Sequence, residues 1–424
     1  MVFYIIIFIF VLVLLGIPIA FSFGFGSMIY CLLVNIDTII IPQRIFVSTD
    51  KFTFLAIPFF LLVGNLMNAS GVTHRILNLA RNMVGHIKGG LGHANVVASM
   101  IFAGLSGSAI ADAAGLGAVE IEMMRKSGYD DDFSASITLA SSIIGPIIPP
   151  SIIMVIYGMV ASVSIGRMLL GGLFPGIVMG LCLMVMVYFM ALTRNYPHDD
   201  WAGWKKIFQS FFSALLPLLT PLIIVVGIVG GIFTPTEAGA VAALYTLLLG
   251  VFVFKKINWK NFKSALIDTA MITALIGIII GISGIFSWII TSEGIPRQLV
   301  QFIMSLSSNK IVILLLINIV VLILGCFIDA APLIILLVPV LLPLLNMLNI
   351  DLIHFGIIIS VNSMIGTITP PVGTCLYAVS SVSGLPIERL ARSVIPFLFI
   401  LIIALLLITF IPQISLWFPN LILG

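Results

Sequence analysis

The chain has 424 residues, of which 61% are hydrophobic and only 8% charged. A water-facing surface needs about 25% charged residues, so the composition excludes an ordinary soluble protein and points to a polytopic membrane protein with no soluble domain to spare. The formal net charge of +3 says little by itself, because in a membrane protein the side on which the cations lie carries the information.

Residues 1–53 are the first block, read as N-terminal scaffold helices. Met1 to Val34 has neither a basic leader nor an Ala-x-Ala site, so it reads as retained membrane helix, not a cleaved signal. It reads as one long tilted helix or as two short ones turning at Gly16-Ile17-Pro18, and the turn from Gly231 to Gly239 at a comparable place in the second half favours two. Residues 54–193 follow as a first repeat. It holds an apolar span at 54–69, an amphipathic arm from Val72 to Val84 with Arg75 and Arg81, a Gly-, Ala- and Ser-rich stretch at 89–126, a proline-interrupted stretch at 135–160, and a span at 172–193.

Residues 194–267 supply the spans 211–231 and 236–254 together with basic loops. Residues 268–424 form the second repeat: a span at 268–290, an arm from Ile295 to Leu306 with Arg297, a Leu- and Pro-rich stretch at 310–349, a second interrupted stretch at 354–382, and a span at 394–417. The clear spans approach the roughly 20 residues that cross a hydrocarbon core, and both arms read as interfacial helices.

The duplication is visible in the residues. Ser142-Ile143-Ile144-Gly145-Pro146-Ile147-Ile148-Pro149-Pro150 returns 221 positions later as Ser363-Met364-Ile365-Gly366-Thr367-Ile368-Thr369-Pro370-Pro371. The same offset joins Gly104 to Gly325 and Pro175 to Pro396, while Asp112-Ala113-Ala114 recurs out of step as Asp329-Ala330-Ala331. Helix breakers inside duplicated apolar segments are the pattern of a membrane transporter. The stretches at 89–126 and 310–349 carry small or polar residues, Gly104 to Gly117 and Gly325 to Pro332, where a spanning helix is most apolar. Each reads as a re-entrant hairpin, whose irregular backbone is tolerated only against protein or a water-filled cavity.

Orientation follows from the cations. With the first hairpin opening to the cytoplasm, Arg75, Arg81, Lys88, Arg125, Lys126, Arg194, Lys205, Lys206, Lys255, Lys256, Lys260, Lys263, Arg389 and Arg392 lie inside, and only Arg44, Lys51, Arg167, Arg297 and Lys310 lie outside. The bias favours this topology over its inverse. It makes the second hairpin open outward, so the halves are inverted repeats and the fold class is all-α with two hairpins and two broken helices.

The prolines bring chemistry. A mid-helix proline has no amide proton and displaces the carbonyl four residues earlier, so Pro146, Pro149 and Pro150 release those of Ser142, Gly145 and Pro146, and Pro370 and Pro371 release those of Gly366 and Thr367. Hydroxyls and amides crowd the same places: Ser106, Ser108, Ser141 and Ser142, then Asn362, Ser363, Thr367, Thr369 and Thr374. Clustered neutral oxygens suit Na⁺ better than a transition metal. A single Pro-Pro merely kinks a helix and lets backbones pack; two matched copies, each with its own polar hairpin, favour a pair of cation sites.

Asp112 and Asp329, near membrane depth, are functional candidates by default, as cation ligands, proton carriers, or caps on a hairpin's second half. Helices that restart after a hairpin tip or a Pro-Pro loop present free N–H groups to a carboxylate, so an anionic substrate beside Na⁺ follows. The candidate substrate contacts are Asp112, Ser141, Pro149, Pro150, Asn362, Ser363, Pro370, Pro371 and Thr374. Glu120, Glu122, Arg125, Lys126 and Asp130 to Asp132 read as a solvated cytoplasmic cluster, and Glu237 as a helix cap. Cys31, Cys182, Cys326 and Cys375 lack metal-type spacing and read as small buried hydrophobes. Gly104-Leu105-Ser106-Gly107 matches the Gly-x-Ser-Gly of intramembrane proteases, but the five histidines lie mostly in or near loops, so no enzyme is expected.

Gly104 to Gly117, Gly145 to Ser151 and Gly366 to Thr374 together resemble the large membrane subunit of tripartite ATP-independent periplasmic (TRAP) transporters, over essentially the whole chain. The resemblance implies an ion-transporter-type elevator in a bacterial inner membrane, driven by the Na⁺ gradient. It also implies a small four-helix membrane subunit and a periplasmic substrate-binding protein as partners. The implied substrates are organic anions, including C4-dicarboxylates, keto acids and sialic acid, with sialic acid favoured. One Na⁺ is implied between the first hairpin tip and its proline loop, at Ser106, Gly107, Ser108, Ser142 and Gly145. The second is implied at Gly325, Asp329, Gly366, Thr367 and Thr369.

Overall fold

The computed structural model describes residues 2–307 and 309–424, and the side chains of Val2, Leu14, Ser106 and Leu306 lie outside that description. Regular structure among the described residues is helical throughout. The N-terminal segment forms two helices, α1 (Val2–Leu14) and α2 (Ile19–Leu33), joined at Gly16, whose φ of +84° suits a residue without a side chain. After α3 (Ile40–Thr49) come α4 (Ala56–Ala69) and the arm α5 (Thr73–Val84). The first hairpin consists of α6 (Gly90–Ser106), α7 (Ala109–Ala114) and α8 (Leu116–Lys126). The first broken helix is α9 (Asp131–Ser142) and α10 (Ile152–Ala161), followed by the long α11 (Ile165–Arg194).

Between the repeats run α12 (Gly203–Val229) and α13 (Pro235–Leu248), the latter extended by a π-helical turn to Val253. The second repeat continues with α14 (Trp259–Ser292), the arm α15 (Ile295–Leu306), the hairpin α16 (Lys310–Gly325) and α17 (Ala330–Met347), and the broken helix α18 (Leu352–Gly366) and α19 (Thr374–Ser383). It ends in α20 (Ile387–Ser393), α21 (Ile395–Phe410) and α22 (Gln413–Leu423). The expected continuous span at 394–417 is therefore interrupted, because Ile411 leaves the helical region and Pro412 starts the next helix.

Short polar side chains set the helix starts. Ser108, Ser151, Ser164, Thr234, Asn258, Asn309, Asp329 and Asp351 each accept a backbone N–H at the first turn of the helix that follows. At Thr234 the reciprocal bond from Glu237 completes a capping box, so Glu237 is a helix cap.

The two repeats interlock. The second half of the first broken helix, α10, packs on α17 of the second hairpin, and the short α7 of the first hairpin packs on α19 of the second broken helix. Each hairpin thus supports the opposite repeat. At the basic end, three consecutive carboxylates gather neighbouring helix ends onto α9. Asp130 accepts from Arg194 at 3.0 Å and from the Tyr196 hydroxyl at 2.6 Å, Asp131 from Arg125 at 2.7 Å, and Asp132 from Arg389 at 3.0 Å. Their charge also suits the N-terminus of α9. The arm α5 is tied to the loop after α11 by Arg81 and Asp199 at 2.6 and 2.9 Å. That guanidinium holds the Asp199 carboxyl below its usual range.

Candidate transport site

Each hairpin tip meets the proline loop of its own repeat. In the first, the chain turns at Gly107 with φ of +61°, and Ser108 caps α7. A Cβ added to Gly107 would stand 3.0 Å from the Pro150 carbonyl oxygen, and one added to Gly104 would stand 3.4 Å from that of Pro149. The Asp112 carboxylate lies against the Cα of Gly145. This brings Gly107, Asp112, Gly145, Pro149 and Pro150 into one neighbourhood, while the Ser106 side chain lies outside the described residues.

In the second repeat the contact is backbone to backbone. A Cβ on Gly366 would meet the Gly325 Cα and carbonyl carbon at 2.6 Å, so only glycine fits either position without displacement. Gly373 N–H donates to the Cys326 carbonyl at 3.1 Å, and the Thr374 hydroxyl to Asp329 Oδ1 at 3.4 Å. Asp329 Oδ1 also accepts from Ala330 N–H at 2.9 Å, which makes it the cap of α17.

Asp112 and Asp329 are not structural equivalents. At the 221-residue offset Asp329 corresponds to Ser108, and both are N-caps of a hairpin's second arm, whereas Asp112 sits inside α7. The Asp-Ala-Ala match was out of step because it pairs a cap with a helix-interior residue.

Of the five carbonyls released by proline, four accept protein donors. Ser142 O accepts from Gly145 N–H at 3.2 Å, Gly366 O from Thr369 N–H at 2.9 Å, Thr367 O from Cys375 N–H at 3.0 Å, and Pro146 O from the Ser151 hydroxyl. The expectation that they stand bare is corrected: the loops fold back on themselves. Each carbonyl retains a second lone pair. The hydroxyls of Ser142, Ser363, Thr367 and Thr369 spend their protons on helix carbonyls three or four residues earlier, at 2.9, 3.0, 2.7 and 2.7 Å, which turns their oxygens into acceptors for a ligand.

Ser141 and Asn362 lie one turn before the loops and are fully buried in contacts between helices. Asn362 Nδ2 donates to Asn318 Oδ1 at 2.8 Å, and the Ser141 hydroxyl to Asn95 Oδ1 at 2.6 Å. Glu120 is no solvated loop charge: it is 1% exposed and accepts from Asn95 Nδ2 at 2.8 Å. Helical phase explains this, since Glu120 shares the inner face of α8 with Leu116 and Met124, whereas Glu122 turns outward to Lys126. Asn95, Asn318 and Glu120 are the residues that sequence reasoning missed or misplaced. The available signal was a lone amide in each apolar first arm.

Charge around the site is one-sided. Asp112 and Glu120 are buried, while every described lysine and arginine is at least partly exposed. Burying an ionised carboxylate is costly, and Glu120 is met there by the Asn95 amide. Among the described residues no cluster of three or more His, Cys, Asp or Glu side chains is placed to hold a metal ion. For the protease-like Gly-x-Ser-Gly, His93 lies on the same helix as Ser106, about 20 Å away along its axis, and its Nε2 contacts the Lys88 carbonyl at 3.2 Å.

Residues 6–414 match the family model described as tripartite ATP-independent periplasmic transporter, DctM component. The chain is 46% identical over 382 residues to the sialic acid TRAP transporter large permease protein SiaM of Vibrio cholerae, covering 90% of both chains. It is 41% identical to the sialic acid TRAP transporter permease protein SiaT of Haemophilus influenzae, covering 90% of this chain and 62% of that one. With the C4-dicarboxylate TRAP transporter large permease protein DctM of Pseudomonas aeruginosa it shares 39% identity, over 89% of this chain and 88% of the other. The fold is similar to the crystal structure of the YdaH transporter of Alcanivorax borkumensis, with a TM-score of 0.59 at 14% identity over 87% of each chain. The paired hairpins and proline loops therefore sit in a multi-pass membrane protein that belongs to the DctM component family of TRAP transporters.

Proposed function

We propose that this protein imports an organic carboxylate, of the sialic acid or C4-dicarboxylate class, across a bacterial inner membrane, coupled to Na⁺ and by an elevator movement of the hairpins and broken helices. The observation that carries this reading is the matched pair of tip-and-loop contacts, each lined with acceptor oxygens, in an interior where carboxylates are buried and lysines and arginines are not. Na⁺ would be held by Gly107, Ser108, Ser142 and Gly145 with Ser106 in the first site, and by Gly325, Asp329, Gly366, Thr367 and Thr369 in the second. The carboxylate would lie between the sites, where α7 meets α19.

The name of the most identical relative quoted above favours sialic acid. A separate small membrane subunit and a periplasmic binding protein complete the system in this reading. The test is uptake of labelled sialic acid and succinate into proteoliposomes containing all three components, with a Na⁺ gradient imposed or withheld. Uptake that requires both Na⁺ and the binding protein supports the proposal. Uptake without the binding protein identifies a standalone symporter, and uptake indifferent to Na⁺ refutes the coupling.

A further inference from the structure

Asn95 and Asn318 are the lone amide side chains in the first arms of the two hairpins, and both are buried. Asn95 makes three side-chain hydrogen bonds, all to neighbouring helices. Its Nδ2 donates to Glu120 Oε2 at 2.8 Å and Thr138 Oγ1 at 2.7 Å, and its Oδ1 accepts from Ser141 at 2.6 Å. In the second repeat Asn362 Nδ2 donates to both the carbonyl oxygen and Oδ1 of Asn318, at 2.9 and 2.8 Å, and Asn318 Nδ2 donates to Thr409 Oγ1 at 3.1 Å. Ser141 and Asn362 are related by the 221-residue offset, and each lies four residues before a loop glycine, Gly145 or Gly366. The two repeats thus clamp the same pair of elements at the same point of the broken helix with different side chains, Asn318 lying two residues beyond Leu316, the offset counterpart of Asn95.

The clamp resists sliding. In an apolar interior a displaced amide loses its partners and incurs the desolvation penalty of an unmet polar group, so the bonded register is strongly preferred. A slip of one residue between first arm and broken helix would shift the hairpin tip about 1.5 Å along its loop, far more than an ion's ligand shell tolerates, which is about 0.2 Å.

We propose that Asn95 and Asn318 are positioning residues for the two Na⁺ sites, each fixing the register of a hairpin's first arm against its broken helix and hence the gap between tip and proline loop. The inference rests on the Na⁺ reading above. It is tested on the full-length chain purified in detergent, by the midpoint of thermal stabilisation as NaCl replaces choline chloride. Asn95→Leu and Asn318→Leu should each raise the Na⁺ midpoint about tenfold or more, as misplacements near 1 Å do in other sites. The double variant Asn318→Leu/Asn362→Leu, which leaves no orphaned amide, should recover stability in choline while its Na⁺ midpoint stays raised. Thr409→Val, which touches Asn318 from α21 and leaves the bond to Asn362 intact, should keep the wild-type midpoint.

A midpoint that returns to the wild-type value together with stability in the double variant, or that moves equally in Thr409→Val, overturns the proposal. Asn318→Gln and Asn95→Gln, which keep the amide but displace it by one methylene, carry the same expectation where a leucine variant does not fold. A wild-type chain indifferent to Na⁺ overturns the underlying Na⁺ reading, and the proposal with it.

Discussion

The two proline loops descend from one motif and are built differently. The first is buried from Ile143 to Ser151 and closes on itself, the Ser151 hydroxyl capping α10 and bonding the Pro146 carbonyl. The second is partly open, with Pro371 exposed, and it docks on its hairpin: Gly366 against Gly325, Gly373 N–H to Cys326, and Thr374 to Asp329. The hairpins differ likewise. Asn95 joins both arms of the first to α9 through Glu120, Thr138 and Ser141, whereas from Ala330 to Leu345 the second arm of the other hairpin has no polar side chain to anchor it. Side-chain hydrogen bonds brace both arms of the first hairpin but only the first arm of the second, whose tip is instead bonded to its loop, so the same substitution should act differently in the two.

Gly366→Ala should give the largest effect. Its Cβ collides with the Gly325 backbone, an overpacking of about 1–3 kcal/mol or a loss of about 5- to 150-fold in correctly closed sites, read as uptake rate in proteoliposomes. Gly145→Ala meets the Asp112 side chain, which can move, and should cost several-fold less. Equal losses would show that the two loops are mechanically alike.

Next come the loop hydroxyls. The second site carries two threonines, Thr367 and Thr369, at positions occupied by Pro146 and Ile148 in the first. Thr369→Ala should therefore raise the Na⁺ concentration for half-maximal uptake about tenfold, a hydrogen-bond-sized loss of about 1.4 kcal/mol, and Ser142→Ala by less. Ser106→Ala should also raise it, and unchanged Na⁺ dependence in both Thr369→Ala and Ser106→Ala would sink the assignment.

The caps offer a smaller test. Ser108→Ala removes the cap of a short helix and should lower stability by about 1 kcal/mol, seen in thermal unfolding. Asp329→Asn keeps a capping oxygen and should change stability little while weakening Na⁺ dependence. A loss of stability in Asp329→Asn as large as that in Ser108→Ala would mean that its charge, not its capping, holds the tip.

The smallest effect concerns the arms. Arg81 holds α5 to Asp199, and among the described residues α15 has no such ion pair. Because the folded Asp199 carboxyl titrates below its usual range, its contribution is present above about pH 4 and is lost as the pH falls through the lowered folded value. Both side chains are about 40% exposed, so the gain is at the low end of about 0.2–1 kcal/mol. Asp199→Asn should flatten this part of the acid loss of stability.

The sequence by itself determined the membrane class, the duplication, the arms and the places where helices stop, because these follow from hydropathy over 20 or so residues and from proline, glycine and capping chemistry within a few residues. The tip-and-loop pairing was legible too, since both members of each pair carry small residues at repeated positions. Only the tertiary structure decided which released carbonyls are satisfied, that Asp329 corresponds to Ser108, that Glu120 faces inward, and that Asn95 and Asn318 brace the sites. Those outcomes depend on partners up to 91 residues away, as Asn318 is from Thr409. A lone amide in an apolar helix announces that it needs such a partner, and only packing supplies it.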